Sequence, residues 1–160
     1  MPPWSHTLVI DGVRIRPAGT DDGASIARVF LASFATLTFL PKLHSDEETF
    51  DFITNIVLRE QDVLVAETDG EVGGFIAMHG DMVEHLYVRP DLRRRGIGSA
   101  LLRRAQESMP SGFRLWVFQE NVPARRFYEA HGLMLIEKTD GSRNEEQTPD
   151  ALYEWRPKDR

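Results

Sequence analysis

The strongest constraint on this chain lies in seventeen residues, Leu86-Tyr87-Val88-Arg89-Pro90-Asp91-Leu92-Arg93-Arg94-Arg95-Gly96-Ile97-Gly98-Ser99-Ala100-Leu101-Leu102. A strand ends at a proline, a basic turn with two glycines follows, and a helix leaves it. The first N–H groups of a helix have no intrahelical partner, and the helix dipole adds partial positive charge there. Glycines let a backbone approach an anion closely, so the turn suits a pyrophosphate. The same residues also suit a plain basic surface turn. Two nucleotide motifs are excluded by reading: no Gly-Lys-Ser/Thr follows the glycines, and the third glycine of a dinucleotide fingerprint is replaced by Leu101.

The remainder of the chain frames this segment. Residues 8 to 17 read as one strand or as a hairpin turning at Asp11-Gly12. Thr20 or Asp21 is expected to cap a helix with Ile26, Val29, Phe30 and Phe34 on one face. Pro41 interrupts the chain. Ser45 with Glu48 forms a capping-box pattern that opens a second helix, with Phe50, Ile53 and Val57 as its apolar stripe. Strands are expected at Asp62 to Thr68, Glu71 to His79 and Met82 to Val88, the first two joined at Asp69-Gly70. A helix carries Ile97, Leu101 and Ala105. Phe113 to Phe118 is almost continuously apolar and predicts a buried strand. A short helix from about Val122 to His131 ends at Gly132. Strands at Leu133 to Ile136 and Leu152 to Trp155 flank a polar loop over 140–150. This order predicts a mixed, mostly antiparallel sheet of six to seven strands flanked by helices, α+β layers rather than a doubly wound fold.

Composition limits the function classes. The chain has 160 residues, 41% hydrophobic and 28% charged, a one-domain length spanning 1–160. A chain of that size buries roughly 70% of its unfolded surface. With no cysteine, disulfides, thiolate metal sites and cysteine nucleophiles are excluded. The histidines show no metal-ligand spacing, so no metal is expected. Nineteen Lys and Arg against 25 Asp and Glu give a net charge of −6, which disfavours general nucleic-acid binding. No apolar run reaches membrane-span length, and the start lacks a signal-peptide layout. A cytoplasmic location is expected.

Arg93-x-x-Gly96-x-Gly98, preceded by Leu86-Tyr87-Val88 and Pro90, resembles the acetyl-CoA-binding motif of the GNAT superfamily of N-acetyltransferases. Asn121-x-x-Ala124-x-x-Phe127-Tyr128 resembles that family's second motif, at the usual separation and in the usual order. Leu133 replaces a phenylalanine that often follows the glycine there. The resemblance implies the acyl-CoA N-acyltransferase fold and acetyl-CoA as co-substrate. It places pantetheine along the backbone of Leu86 and Val88. The pyrophosphate falls on amides from Arg94 through Arg95, Gly96, Ile97 and Gly98 to Ser99, with Arg93 beside them. Asn121 either caps its helix or bonds the pantetheine beside Ala124. An N–H near Val88 would polarise the thioester carbonyl, and Tyr128 matches the tyrosine that protonates the leaving thiolate.

The base is the open role. Period-2 alternation puts Glu84 on the face of Leu86 and Val88 and makes it the candidate, with Glu120 as fallback or water alone. His85 points to the opposite face and reads as structural. Phe39, Leu40 and His44 lie where family members shape the acceptor site. Asp46, Glu47 and Glu48 complement a helix dipole or form an acidic mouth for a cationic amine. The acceptor class is a small-molecule amine or a peptide N-terminus. Two further readings stand beside acetyl transfer: a non-catalytic acyl-CoA sensor, and an enzyme acting on aminoacyl-tRNA through a patch of Arg93 to Arg95 with Arg103 and Arg104. A homodimer would use Phe75, Phe118 or the terminal strand.

Overall fold

The computed structural model describes residues 7–10 and 12–158. Among the described residues, eight strands form one sheet. β1 (Leu8–Ile10) and β2 (Val13–Pro17) are a hairpin; its Asp11 lies outside the described residues, and Gly12 takes a φ of +78°. β3 (Asp62–Thr68), β4 (Glu71–His79) and β5 (Met82–Val88) form the expected meander. β6 (Phe113–Phe118), β7 (Met134–Thr139) and β8 (Asp150–Trp155) complete the order β1-β2-β3-β4-β5-β6-β8-β7. Every pairing is antiparallel except β5 with β6. The count exceeds six to seven because residues 8–17 fold back on themselves.

Helices cover both faces. α1 (Gly23–Phe34) and α2 (Asp46–Phe52, continued by a wide π turn over Ile53–Val57 and a last turn at Leu58–Glu60) bury Ile26, Val29, Ile53 and Val57 against Val63, Val65, Phe75 and Ala77. On the opposite face α3 (Ile97–Ser108) and α4 (Val122–Ala130) pack Ile97, Leu101, Ala105 and Tyr128 against Leu64, Ile76, Leu115 and Tyr153. Gly73 lets the turn that precedes α3 close down on β4: a Cβ there would stand 2.5 Å from Leu92 Cδ1.

Local chemistry corrects several expectations. Neither Thr20 nor Asp21 caps α1. A 3-10 turn at Thr20–Asp22 precedes it, and the Asp22 carboxylate accepts from the Gly19 N–H at 2.7 Å while also holding Arg16. The Ser45 box forms as expected, with Glu48 N–H on Ser45 Oγ at 3.1 Å and Ser45 N–H on Glu48 Oε1 at 3.0 Å. The buried stripe of α2 is Thr49, Ile53 and Val57, spaced by fours into the π turn, which leaves Phe50 exposed. β6 alternates instead of being buried throughout: Phe113, Leu115 and Val117 are inside, and Trp116 is 47% exposed on the other face, where the core under α1 and α2 is built on β3 and β4. The terminal strand β8 lies inside the sheet, since β7 pairs outside it, and Phe75 is fully buried; neither offers an interface. Among the described residues no helix is long and apolar enough to cross a membrane.

Candidate active site

β5 organises the site. Across to β6 it keeps a single pair, Met82 with Arg114, and beyond that pair the two parallel strands part. Backbone groups along the diverging edge of β5 are thereby freed from the sheet ladder. Leu86 and Val88 line its inner face, packed on the core under α3. The Val88 carbonyl accepts a hydrogen bond from the buried Ser33 hydroxyl at 2.8 Å, which pins the end of β5 to α1.

The basic turn follows directly. Pro90–Leu92 forms a 3-10 turn, Arg93 is extended, Arg94 takes a φ of 67°, and Gly96 starts α3 with a φ of +81°. Whereas α2 and α4 are capped by Ser45 and Asn121, α3 has no side-chain cap. Its first-turn N–H groups are therefore unsatisfied donors on a glycine-cleared surface, a fit for the pyrophosphate of a coenzyme. Arg93 donates to Thr36 Oγ1 at 3.2 Å and ties the turn to the end of α1; Arg94 and Arg95 are exposed. Gly98 faces α4, where a Cβ would lie in ordinary contact 3.4 Å from Phe127 Cζ. The His131 Nδ1–H donates to the Phe127 carbonyl at 2.8 Å. Its Nε2 therefore accepts from the Ser99 hydroxyl at 2.9 Å, joining α3 to α4.

Asn121 acts as the cap, its Oδ1 accepting from the Ala124 N–H at 3.4 Å. Ala124 packs on the core edge. Tyr128 is buried, its hydroxyl makes no hydrogen bond among the described residues, and burial pushes its phenol pKa well above the usual range. Tyr87, facing α1, is raised to about 12 by burial and by the charge of Glu146. Both phenols are neutral donors at pH 7.

Glu84 departs from simple alternation. Ala77 pairs with His85 and Met78 with Val83, so Glu84 is the extra residue of a β-bulge. Val83, not Glu84, holds the buried place on the Leu86 and Val88 face, and Glu84 is exposed. Glu120 is exposed beyond β6. His85 does lie opposite Leu86, among Phe30, Phe52, Phe75 and Tyr87.

On that α1 and α2 face a cavity of about 820 Å³ opens. Phe30, Phe34, Leu37, Phe52 and His85 form its body; Lys42, His44, Glu48, Glu145 and Glu146 stand at its polar side. Leu40 and His44 line it, whereas Phe39 lies on the Phe118 ring, 6.1 Å between centroids. His44 Nε2 meets Glu145 Oε1 at 2.5 Å and Nδ1 lies 3.7 Å from Glu48, so the segment between α1 and α2 is bridged to the segment between β7 and β8. The Glu145 carboxylate, with Glu48, holds the exposed His44 above its usual pKa. Sequence reading missed Glu145 and Glu146; as two acids in a polar loop they carry no local signal. Arg104 is buried beside Glu107 at 3.3 Å, so it does not extend an arginine surface patch. Among the described residues no group of three or more His, Asp or Glu is placed to hold a metal.

The acetyltransferase (GNAT) domain family matches residues 59–132. The chain is 31% identical over 137 residues to an uncharacterized N-acetyltransferase of Archaeoglobus fulgidus, covering 76% of this chain and 92% of that protein. It is 36% identical over 92 residues to the peptidyl-lysine N-acetyltransferase YiaC of Escherichia coli, a match spanning 57% of this chain and 61% of that one. Among solved structures, a GCN5-related N-acetyltransferase from Rhodopseudomonas palustris superposes with a TM-score of 0.76 at 22% identity, covering 94% of this chain and 99% of that one. PaiA N-acetyltransferase from Thermoplasma acidophilum in complex with coenzyme A gives 0.70 at 24%, with coverage of 91% and 99%. With the parted β5 and β6, the uncapped start of α3 and these relatives together, the chain belongs to the GNAT family of N-acetyltransferases and takes acetyl-CoA as its co-substrate.

Proposed function

We propose that the protein moves the acetyl group of acetyl-CoA to a primary amine by direct attack, with β5 as the wall shared by donor and acceptor. The observation that carries this reading is the two-sided use of that strand. Its Leu86 and Val88 face adjoins the freed edge and the α3 cradle, and its His85 face lines the acid-edged cavity. The co-substrate supplies an already activated thioester, so no covalent enzyme adduct is required.

The chain's own groups have the remaining tasks. First-turn amides of α3 hold the pyrophosphate, and the freed backbone of Leu86 and Val88 holds the pantetheine. A backbone N–H near Val88 stabilises the charge that develops on the carbonyl oxygen. Carboxylates at the cavity edge favour entry of a cationic amine, whose ordinary pKa near 10.4 requires loss of a proton before attack. Glu84, exposed at the bulge, or Glu120 receives that proton through water. The new N–C bond replaces C–S, and Tyr128, a neutral phenol, returns a proton to the thiolate. Because YiaC and the Salmonella typhimurium YjaB are peptidyl-lysine N-acetyltransferases by name, a lysine side chain is the first acceptor to test.

The absence of cysteine makes thiol release a background-free assay. Acetyl-CoA with a lysine peptide, a polyamine or an arylalkylamine is expected to yield CoA above the rate of spontaneous hydrolysis. Loss of the general acid in Tyr128→Phe is expected to lower kcat by about 100-fold. Unchanged turnover in that variant removes Tyr128 as the acid. Tight acetyl-CoA binding without turnover on any amine class would instead favour the acyl-CoA sensor.

A further inference from the structure

His85 lies in the wall of the acceptor cavity with polar atoms that the fold does not use. Phe30 and Phe52 meet its ring edge-on with centroids 5.9 Å away in both cases, Phe75 lies at 6.4 Å and Tyr87 at 6.2 Å. Neither ring nitrogen takes part in a hydrogen bond or ion pair among the described residues, and neither is sealed from the cavity. Of the carboxylates on the cavity, Glu145 binds His44 and Glu48 closes the Ser45 box, whereas Glu146 makes no hydrogen bond to His85 and its charge is felt by Tyr87. Burial holds the imidazole near a pKa of about 4, so it is neutral at physiological pH. A neutral imidazole has one acceptor nitrogen. In apolar surroundings such a group finds its partner in a ligand or pays a desolvation penalty.

We propose that His85 determines acceptor specificity: its free nitrogen accepts a hydrogen bond from the N–H of an amine carried on an alkyl or aryl body, which Phe30, Phe34 and Phe52 enclose. This rests on the amine-transfer reading above. An N–H spent on His85 leaves the nitrogen lone pair available for attack. The phenylalanine walls reward burial of an apolar body, whereas a second ammonium held among those rings would lose its water without a partner, because the carboxylates stand at the polar side of the cavity. His85 acts here by positioning, and the proton that leaves during attack goes elsewhere.

The test compares 2-phenylethylamine with putrescine on the full chain and on His85→Gln and His85→Phe. The expected preference in kcat/KM is tenfold or more for 2-phenylethylamine. His85→Phe, which keeps the aromatic volume and loses the acceptor, is expected to reduce kcat/KM for 2-phenylethylamine about 10- to 100-fold, the scale of one lost buried hydrogen bond. His85→Gln, which retains a carbonyl acceptor, is expected to recover most of that loss. Equal behaviour of the two variants, an unchanged His85→Phe, or a preference for putrescine overturns the proposal. A second readout needs no turnover: the ¹⁵N resonances of the His85 ring are expected to shift when 2-phenylethylamine is added to the wild-type protein. Static resonances at saturating amine overturn the proposal even in an active enzyme. An inactive enzyme whose His85 resonances shift overturns the transfer reading alone.

Discussion

At the scale of single residues, His85 makes folding depend on acidity. Its imidazole has an ordinary pKa of 6.5 and one of about 4 in the folded protein, because burial disfavours the charged ring. Between those values the unfolded chain binds more protons than the native one, so stability rises with pH across that window and is lost as pH falls from 6.5 toward 4. Because the ring is only partly buried and borders the cavity, the full linkage is at most about 3 kcal/mol. Urea unfolding at pH 7, 5.5 and 4.5 should show wild-type stability declining more steeply than that of His85→Phe. Parallel declines in the two proteins would mean that His85 is solvated in the native state. Sequence reading placed this histidine on the correct face by alternation, but alternation reports direction only. The rings that desolvate it come from α1, α2 and β4.

At the scale of elements, the β7–β8 connection is held by a contact that tolerates no side chain. Gly141 has a φ of +84°, and a Cβ on it would lie 2.3 Å from both the carbonyl carbon and oxygen of Thr148. Asn144 closes the same loop, donating to the Thr148 carbonyl at 2.6 Å. Gly141→Ala must therefore open the segment that carries Glu145 and Glu146 to the cavity. We expect a stability loss of about 1–3 kcal/mol, from overpacking and an unfavourable backbone region. Steady-state kinetics should show the acceptor KM rising several-fold while acetyl-CoA affinity holds, since the cradle at α3 is built from other residues. An unchanged acceptor KM would sever this loop from the acceptor site. The bulge in β5 shows why element boundaries were more legible than orientations. Met82 to Val88 was readable as a strand, yet the place of Glu84 depends on how β4 pairs with it.

At the scale of the whole molecule, the sheet is joined across β5 and β6 by one residue pair, Met82 with Arg114, and the proposed binding site for acetyl-CoA is the opening beyond it. A ligand that binds only the folded state at 100 times its Kd adds about 2.7 kcal/mol. For a domain of this size that corresponds to a Tm increase of roughly 5–10 °C. Thermal unfolding should show this shift with acetyl-CoA, and AMP at the same concentration should leave Tm nearly unchanged. An equal shift with AMP would assign the affinity to the nucleotide end and leave the opening between the strands without a role in binding. The sequence by itself determined the parts that a short stretch of chain can build: the β3–β5 meander, the Ser45 box, and the turn into an uncapped α3, whose glycines and free amides fall within ten residues of one another. Only the tertiary structure decided the cavity beneath α1 and α2, because Phe30, Phe52, His85 and Glu146 are distant in the chain and meet solely through packing of α1, α2, β5 and the β7–β8 loop. Local periodicity records which way a residue faces, whereas a cavity and its electrostatics depend on what the rest of the chain brings opposite it.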